Sequence, residues 1–155
     1  MADKLFRSIV RPKTIGLLFS HYIQGAGYGL HVDDAMMESI RRDVSFTWFL
    51  SAPEEYDGGE LVIESPLSEA KYKLAAGSMV IYPATALHKV EPVTRGERTV
   101  IVGWARSYIR DADKRELLFE LDVVRSQLFA EQGKTNVVDV VSKCLANLQR
   151  MWLED

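Results

Sequence analysis

With 155 residues, of which 47% are hydrophobic and 26% charged, the chain can bury the core of one domain and has the balance of an ordinary globular fold. Its net charge of -3 provides no basic field for holding phosphates, which argues against a nucleic-acid partner. The lone cysteine, Cys144, excludes an internal disulfide and suits a reducing cytoplasm.

The opening segment MADKLFRSIVRP carries charges at Asp3, Lys4, Arg7 and Arg11 that interrupt its apolar residues, unlike a secretory signal. From there to about residue 108 the pattern is that of β-structure. Strands are predicted over 14–22, 28–32, 44–51, 60–64, 71–74, 78–82, 88–93 and 97–109. Turn signals separate them at Gln24-Gly25-Ala26-Gly27, Tyr56-Asp57-Gly58-Gly59, Ala76-Gly77 and Thr94-Arg95-Gly96. The apolar stretch over 79–87 is short and holds Pro83, so it does not span a membrane. Many short strands with tight turns point to a sandwich or jelly roll.

After Asp111 the period lengthens. Leu117, Leu121, Val124 and Leu128 recur at helical spacing, as do Val138, Val141, Leu145, Leu148 and Trp152. Asp113 with Glu116 resembles a capping box, and Gly133 suits the break between two helices. The expected organisation is a mainly β core over residues 1–110 and a C-terminal α-helical hairpin over 111–155. The hairpin would pack on the core or on a partner subunit.

Within the segment GLHVDD, His31 and Asp33 alternate on a β-backbone and so point to one side of the sheet. If that side is buried, the carboxylate needs compensation, and a metal ion can supply it. HxD alone is a weak signal, and a lone histidine is most often structural. Here His88 follows at the start of a later strand, and Arg98 lies ten residues beyond it in the next. Two histidines and one carboxylate can occupy one face of an Fe(II) octahedron and leave the other positions open. An arginine beside them can fork onto a carboxylate.

The segments GYGLHVDDA, FTWFLSAPEEYDGGELVI, AAGSMVIYPATALHKVEPVTRGERTVIVGW and SYIRDADKRELLFELD extend the pattern. Through them the chain resembles the Fe(II)/2-oxoglutarate-dependent dioxygenases, and closely the bacterial prolyl/lysyl-4-hydroxylase-domain (PKHD-type) hydroxylases. The resemblance implies a double-stranded β-helix, or jelly roll, that binds Fe(II) and 2-oxoglutarate. It implies hydroxylation of a substrate C–H bond with release of succinate and CO2, and ascorbate as the agent that keeps iron ferrous. It assigns His31, Asp33 and His88 to the metal, Arg98 to the far carboxylate of 2-oxoglutarate, and Tyr22 and Ser45 to the same cosubstrate pocket. The substrate is expected to be a small molecule or a peptide.

Strand parity adds detail. If Arg98 points inward, so do Val100, Val102 and Trp104, which lets Trp104 wall the substrate pocket. Ser45, Thr47 and Phe49 share one face, and Phe46, Trp48 and Leu50 the other. His21 has the opposite parity to Tyr22 and reads as structural or partner-facing. Tyr56 reads as pocket rim or surface, with surface favoured, Gly58 and Gly59 as turn residues, Arg95 as solvated, and Asp34 as exposed. Relatives carry a longer segment before the first core strand, so apolar sheet surface is expected to lie open here, to be covered by the C-terminal hairpin or by another subunit of a homo-oligomer. Two rival readings stand beside the dioxygenase. One is a non-catalytic jelly-roll module that retains the triad. The other is a zinc hydrolase, which would lack an evident general base and leave Arg98 without a purpose.

Overall fold

A computed structural model describes residues 2–155, with side chains from Lys4 onward. The chain forms two compact units, one over residues 14–106 and the other joining the N-terminal segment up to Lys13 with Ser107–Asp155. No described helix is long and apolar enough to cross a membrane.

The first unit is a jelly roll. One four-stranded antiparallel sheet has the order β1 (Pro12–Tyr22), β12 (Arg98–Ser107), β5 (Val44–Phe49), β9 (Met79–Pro83). The other has the order β2 (Tyr28–His31), β10 (His88–Val90), β7 (Leu61–Ser65), β8 (Ser68–Tyr72). Two short ribbons complete it: β11 (Val93–Gly96) on β6 (Tyr56–Gly58), and β3 (Met36–Met37) on β4 (Ile40–Arg41). The strands predicted from alternation are present with shifted ends. The additional ones arise because the stretch predicted as one strand over 88–93 bends after Val90, and because β3, β4 and β6 are too short to show a period.

The sheets face each other across a core of Phe49, Leu61, Val80, Tyr82 and Val100, drawn from β5, β7, β9 and β12. Alternation sets which side chains enter it. On β12 the pairing Trp104↔Ser45, Val102↔Thr47 and Val100↔Phe49 sends one parity inward. The opposite parity brings Phe46 over Gly103, where a Cβ would lie 2.1 Å from the Phe46 ring. That outer side is open and apolar at β1, where Leu17 is 64% and Phe19 is 65% exposed.

In the second unit α1 (Ala2–Val10) stops where Arg11 takes φ 48 ahead of Pro12, which cannot continue a helix. Ser107 Oγ donates to the carbonyl of Val10 at 2.7 Å. Helices α2 (Ala112–Gln132) and α3 (Asn136–Trp152) bury Leu118 and Leu145 against Ile109, with Leu121, Val141, Leu148 and Trp152 around them. The α3 stripe is the expected one. The α2 stripe is rotated: Leu118 is buried while Leu117 and Val124 are exposed, because buried Arg115 shares the inner face and donates from Nη1 to the carbonyls of Ile109 and Arg110. The α2 N-cap is Asp111, not Asp113; its carboxylate accepts from the backbone N–H of Asp113 and Lys114. Gly133, at φ 68, ends α2.

Candidate metal and cosubstrate site

His31 ends β2, His88 begins β10, and the two Cα atoms are paired in register. Asp33 follows two residues after the end of β2, so all three side chains enter the space between the sheets. One ligand atom from each can be chosen so that all lie within 4.8 Å of one another.

The hydrogen bonds of these residues set the orientation of their rings and carboxylate. His31 Nδ1 lies 2.8 Å from the carbonyl of Gly29, and His88 Nδ1 lies 2.9 Å from that of Ala86. A carbonyl only accepts, so each Nδ1 donates to it and each ring turns its Nε2 inward. These Nε2 atoms stand 3.7 Å and 3.9 Å from Asp33 Oδ1, beyond hydrogen-bond reach. Ser45 Oγ donates to the other carboxylate oxygen, Oδ2, at 2.5 Å. Three potential ligand atoms thus converge with no hydrogen bond between them, an arrangement that a cation would stabilise.

Beside the triad lies a cavity of about 450 Å³. Tyr22, Tyr28, Thr47, Tyr82, Arg98 and Trp104 are among the residues that line it, with Asp34 and Met37 on the side of the β3–β4 ribbon. Arg98 is buried, and its Nε and Nη1 have no hydrogen-bond partner. Aromatic rings surround it, with Tyr22 5.0 Å and Phe49 5.6 Å from the guanidinium carbon. Burial lowers its pKa, and the nearby phenols of Tyr22, Tyr56 and Tyr82 oppose that. Tyr82 packs edge-on against His88 at 4.9 Å, and burial pushes its phenol well above the ordinary range.

The predicted residues divide as follows. His31, Asp33, His88, Arg98, Tyr22 and Trp104 all line the one cavity. Ser45, expected in the cosubstrate pocket, is buried beside Asp33, and its hydroxyl donates to the carboxylate. The expectation that Tyr56 lies on the surface is corrected. It is wholly buried, because Gly58 (φ 70) and Gly59 (φ 67) turn β6 so that its ring folds under the Arg98 stem. Arg95 is exposed and paired with Asp57. His21 faces outward, sharing a hydrogen bond with Thr99 at 3.1 Å and lying 3.3 Å from Glu97. The sequence reading does not include Tyr28 and Tyr82: parity with Val80 on β9 places Tyr82 inward, whereas Tyr28, three residues from His31, has the opposite parity and lines the cavity where the β2–β10 register shifts.

The profile of the 2OG-Fe(II) oxygenase superfamily matches residues 17–106. A PKHD-type hydroxylase of Picosynechococcus sp. is 54% identical over 154 residues, which are 99% of this chain and 70% of that protein. A PKHD-type hydroxylase of Maricaulis maris is 54% identical over 156 residues, covering all of this chain and 71% of the relative. Among solved structures, a Pseudomonas putida prolyl-4-hydroxylase is similar with a TM-score of 0.54 and 29% identity; the match covers 63% of this chain and 55% of that one.

Proposed function

We infer the chemistry of this chain from its kinship: it belongs to the 2OG-Fe(II) oxygenase superfamily and, within it, to the PKHD-type hydroxylases. We propose that His31, Asp33 and His88 hold Fe(II), that Arg98 receives the far carboxylate of 2-oxoglutarate, and that the protein hydroxylates a C–H bond of a small-molecule or peptide substrate. The observation that carries this reading is the convergence of His31, Asp33 and His88, with a ligand atom of each within 4.8 Å of the others, beside a cavity lined by a buried arginine that has no counter-ion among the described residues.

The donor set fits the metal. Two imidazoles and one carboxylate are the facial ligand set of non-haem ferrous oxygenases, with positions left for cosubstrate and O2. The Arg98 guanidinium, buried at the cavity wall, can fork onto a carboxylate. When bound, Fe(II) and 2-oxoglutarate supply, with O2, the oxidising equivalent that turns C–H into C–OH while succinate and CO2 leave.

The chain's own residues do the positioning. The carbonyls of Gly29 and Ala86 lock the imidazole tautomers, and Ser45 turns Asp33 Oδ1 toward the histidines. Arg98, held between the rings of Tyr22 and Phe49, fixes the cosubstrate's far end and thereby its orientation toward the metal. Trp104 forms part of the substrate wall, with its indole Nε1 buried and unpartnered. Ascorbate is the proposed reductant that keeps the iron ferrous between turnovers.

The test is direct. The protein loaded with Fe(II) and 2-oxoglutarate without air should develop a visible charge-transfer band, and Asp33→Ala should abolish it. A wild-type protein with no band, or a band untouched in the variant, ends this reading. Succinate formed on addition of a substrate separates an enzyme from a module that only binds.

A further inference from the structure

The second unit holds a cavity of about 270 Å³ that the chemistry of the jelly roll does not use. Arg11, which follows α1, Asp122 and Arg125 of α2, and Leu145 and Ala146 of α3 are among the residues that line it. Most of its polar groups are spent within the protein. Asp122 Oδ1 accepts from Arg125 Nε at 2.9 Å and from Nη2 at 2.7 Å. Ser8 and Ser142, also in the wall, donate their hydroxyl protons to the carbonyls of Leu5 and Val138.

Arg11 is the exception. Its Nε is buried with no hydrogen-bond partner. Asp122, already bonded to Arg125, acts on it only through space. Two guanidinium groups thus share one carboxylate, and the cavity carries one surplus positive charge. A buried donor that no protein group uses costs stability, which an arriving acceptor would recover.

The backbone of Arg11 adds a second, independent observation. Its φ of 48 lies in the left-handed region, which strains any residue with a side chain, and the following Pro12 favours extended backbone at this position. The conformation is pinned: the Arg11 N–H donates to the Arg7 carbonyl at 3.0 Å, and the Arg11 carbonyl accepts from the Tyr108 N–H at 2.9 Å. A glycine would make the same two bonds without the strain. The guanidinium, and not the backbone, therefore accounts for an arginine here.

We propose that this cavity binds a small monocarboxylate, whose carboxylate forks onto Arg11 while its short hydrocarbon chain lies on Leu145 and Ala146. One surplus positive charge matches one negative charge, and Asp122 would repel a dianion. The site stands apart from the dioxygenase reading and holds whether or not that reading does.

The experiment titrates the full chain and follows it by proton–nitrogen correlation NMR, which reads arginine Nε–H groups directly. The probes are butyrate, its uncharged isostere butyramide, and orthophosphate, at matched ionic strength. Butyrate should shift the Arg11 Nε–H resonance saturably, and the other two probes should bind at least about tenfold more weakly. Arg11→Gly should melt at or above the wild-type temperature, because its φ suits glycine, and should lose at least about tenfold in butyrate affinity. Arg11→Lys, which keeps the charge without the fork, should also bind butyrate more weakly than the wild type. An Arg11 resonance that butyrate does not move overturns the proposal. So does butyramide or orthophosphate binding as tightly as butyrate, or equal butyrate affinity in Arg11→Gly. A lower melting temperature in Arg11→Gly overturns it as well, since the guanidinium would then hold the helices together and not await a ligand.

Discussion

His31 and His88 stand opposite each other on paired strands, with their Cα atoms in register and their rings 4.2 Å apart. Each ring is held by a carbonyl two residues earlier in its own strand or turn, Gly29 for one and Ala86 for the other. The antiparallel ladder β2–β10 thus sets the separation of the imidazoles, and local backbone sets their tautomers.

Metal should stabilise this arrangement more than it changes it. Adding Mn(II) or Fe(II) without air at about a hundred times its dissociation constant should raise stability by about 2.7 kcal/mol. In Asp33→Ala this increment should vanish while the ligand-free fold persists. Calorimetric melting with and without chelator measures it; an equal metal response in the variant would remove Asp33 from the ligand set.

Replacing Arg98 separates the two binding events. Arg98→Ala should weaken 2-oxoglutarate by at least about tenfold, or about 1.4 kcal/mol, and leave metal affinity intact. Parallel titrations of metal and cosubstrate decide this. Loss of both together would mean that Arg98 supports the fold of the site and not its ligand.

The buried phenols give a pH signature. Burial raises the pKa of both Tyr56 and Tyr82 above 10.0, their value in an unfolded chain. For an acid whose folded pKa is raised, the associated stability is fully present below the unfolded pKa. It is lost as pH climbs from about 10 through the folded value, because only the unfolded chain releases the protons. Alkaline titration by phenolate absorbance should therefore ionise fewer than the six tyrosines while circular dichroism remains native. All six ionising together near pH 10 in a folded chain would contradict the burial.

On the outer face of the same sheet, Gly103 admits the Phe46 ring. A Cβ at Gly103 would sit 2.1 Å from the ring, so Gly103→Ala should destabilise the fold by about 1–3 kcal/mol through overpacking. Phe46→Leu in the same chain should recover part of the loss. Denaturant melts of the single and double variants measure the coupling; purely additive losses would show that the ring is not what the methyl group meets.

Much of the site was legible in one dimension because β-parity is a local rule. On β12, Arg98 brings Val102 and Trp104 with it into the cavity, whereas Asp33 joins His31 there from beyond the end of β2. The helix pair was legible for the same reason, though Leu118 and not Leu117 faces inward, because a buried arginine shares the face and periodicity counts only apolar residues. The β3–β4 ribbon escaped notice because its turn, Glu38-Ser39, adopts positive φ without the Asn-Gly signal that usually marks one.

The alternation of side chains along each strand, from the amino acids alone, settled the strand pattern and the inward parity of Arg98, Val102 and Trp104 on β12. Only the folded chain decided that Ser45 backs Asp33, that Tyr56 lies beneath Arg98, and that the N-terminal helix groups with α2 and α3. Parity states which way a side chain points from its own strand. What it meets there depends on register, turns and the approach of residues distant in sequence, which only tertiary packing fixes.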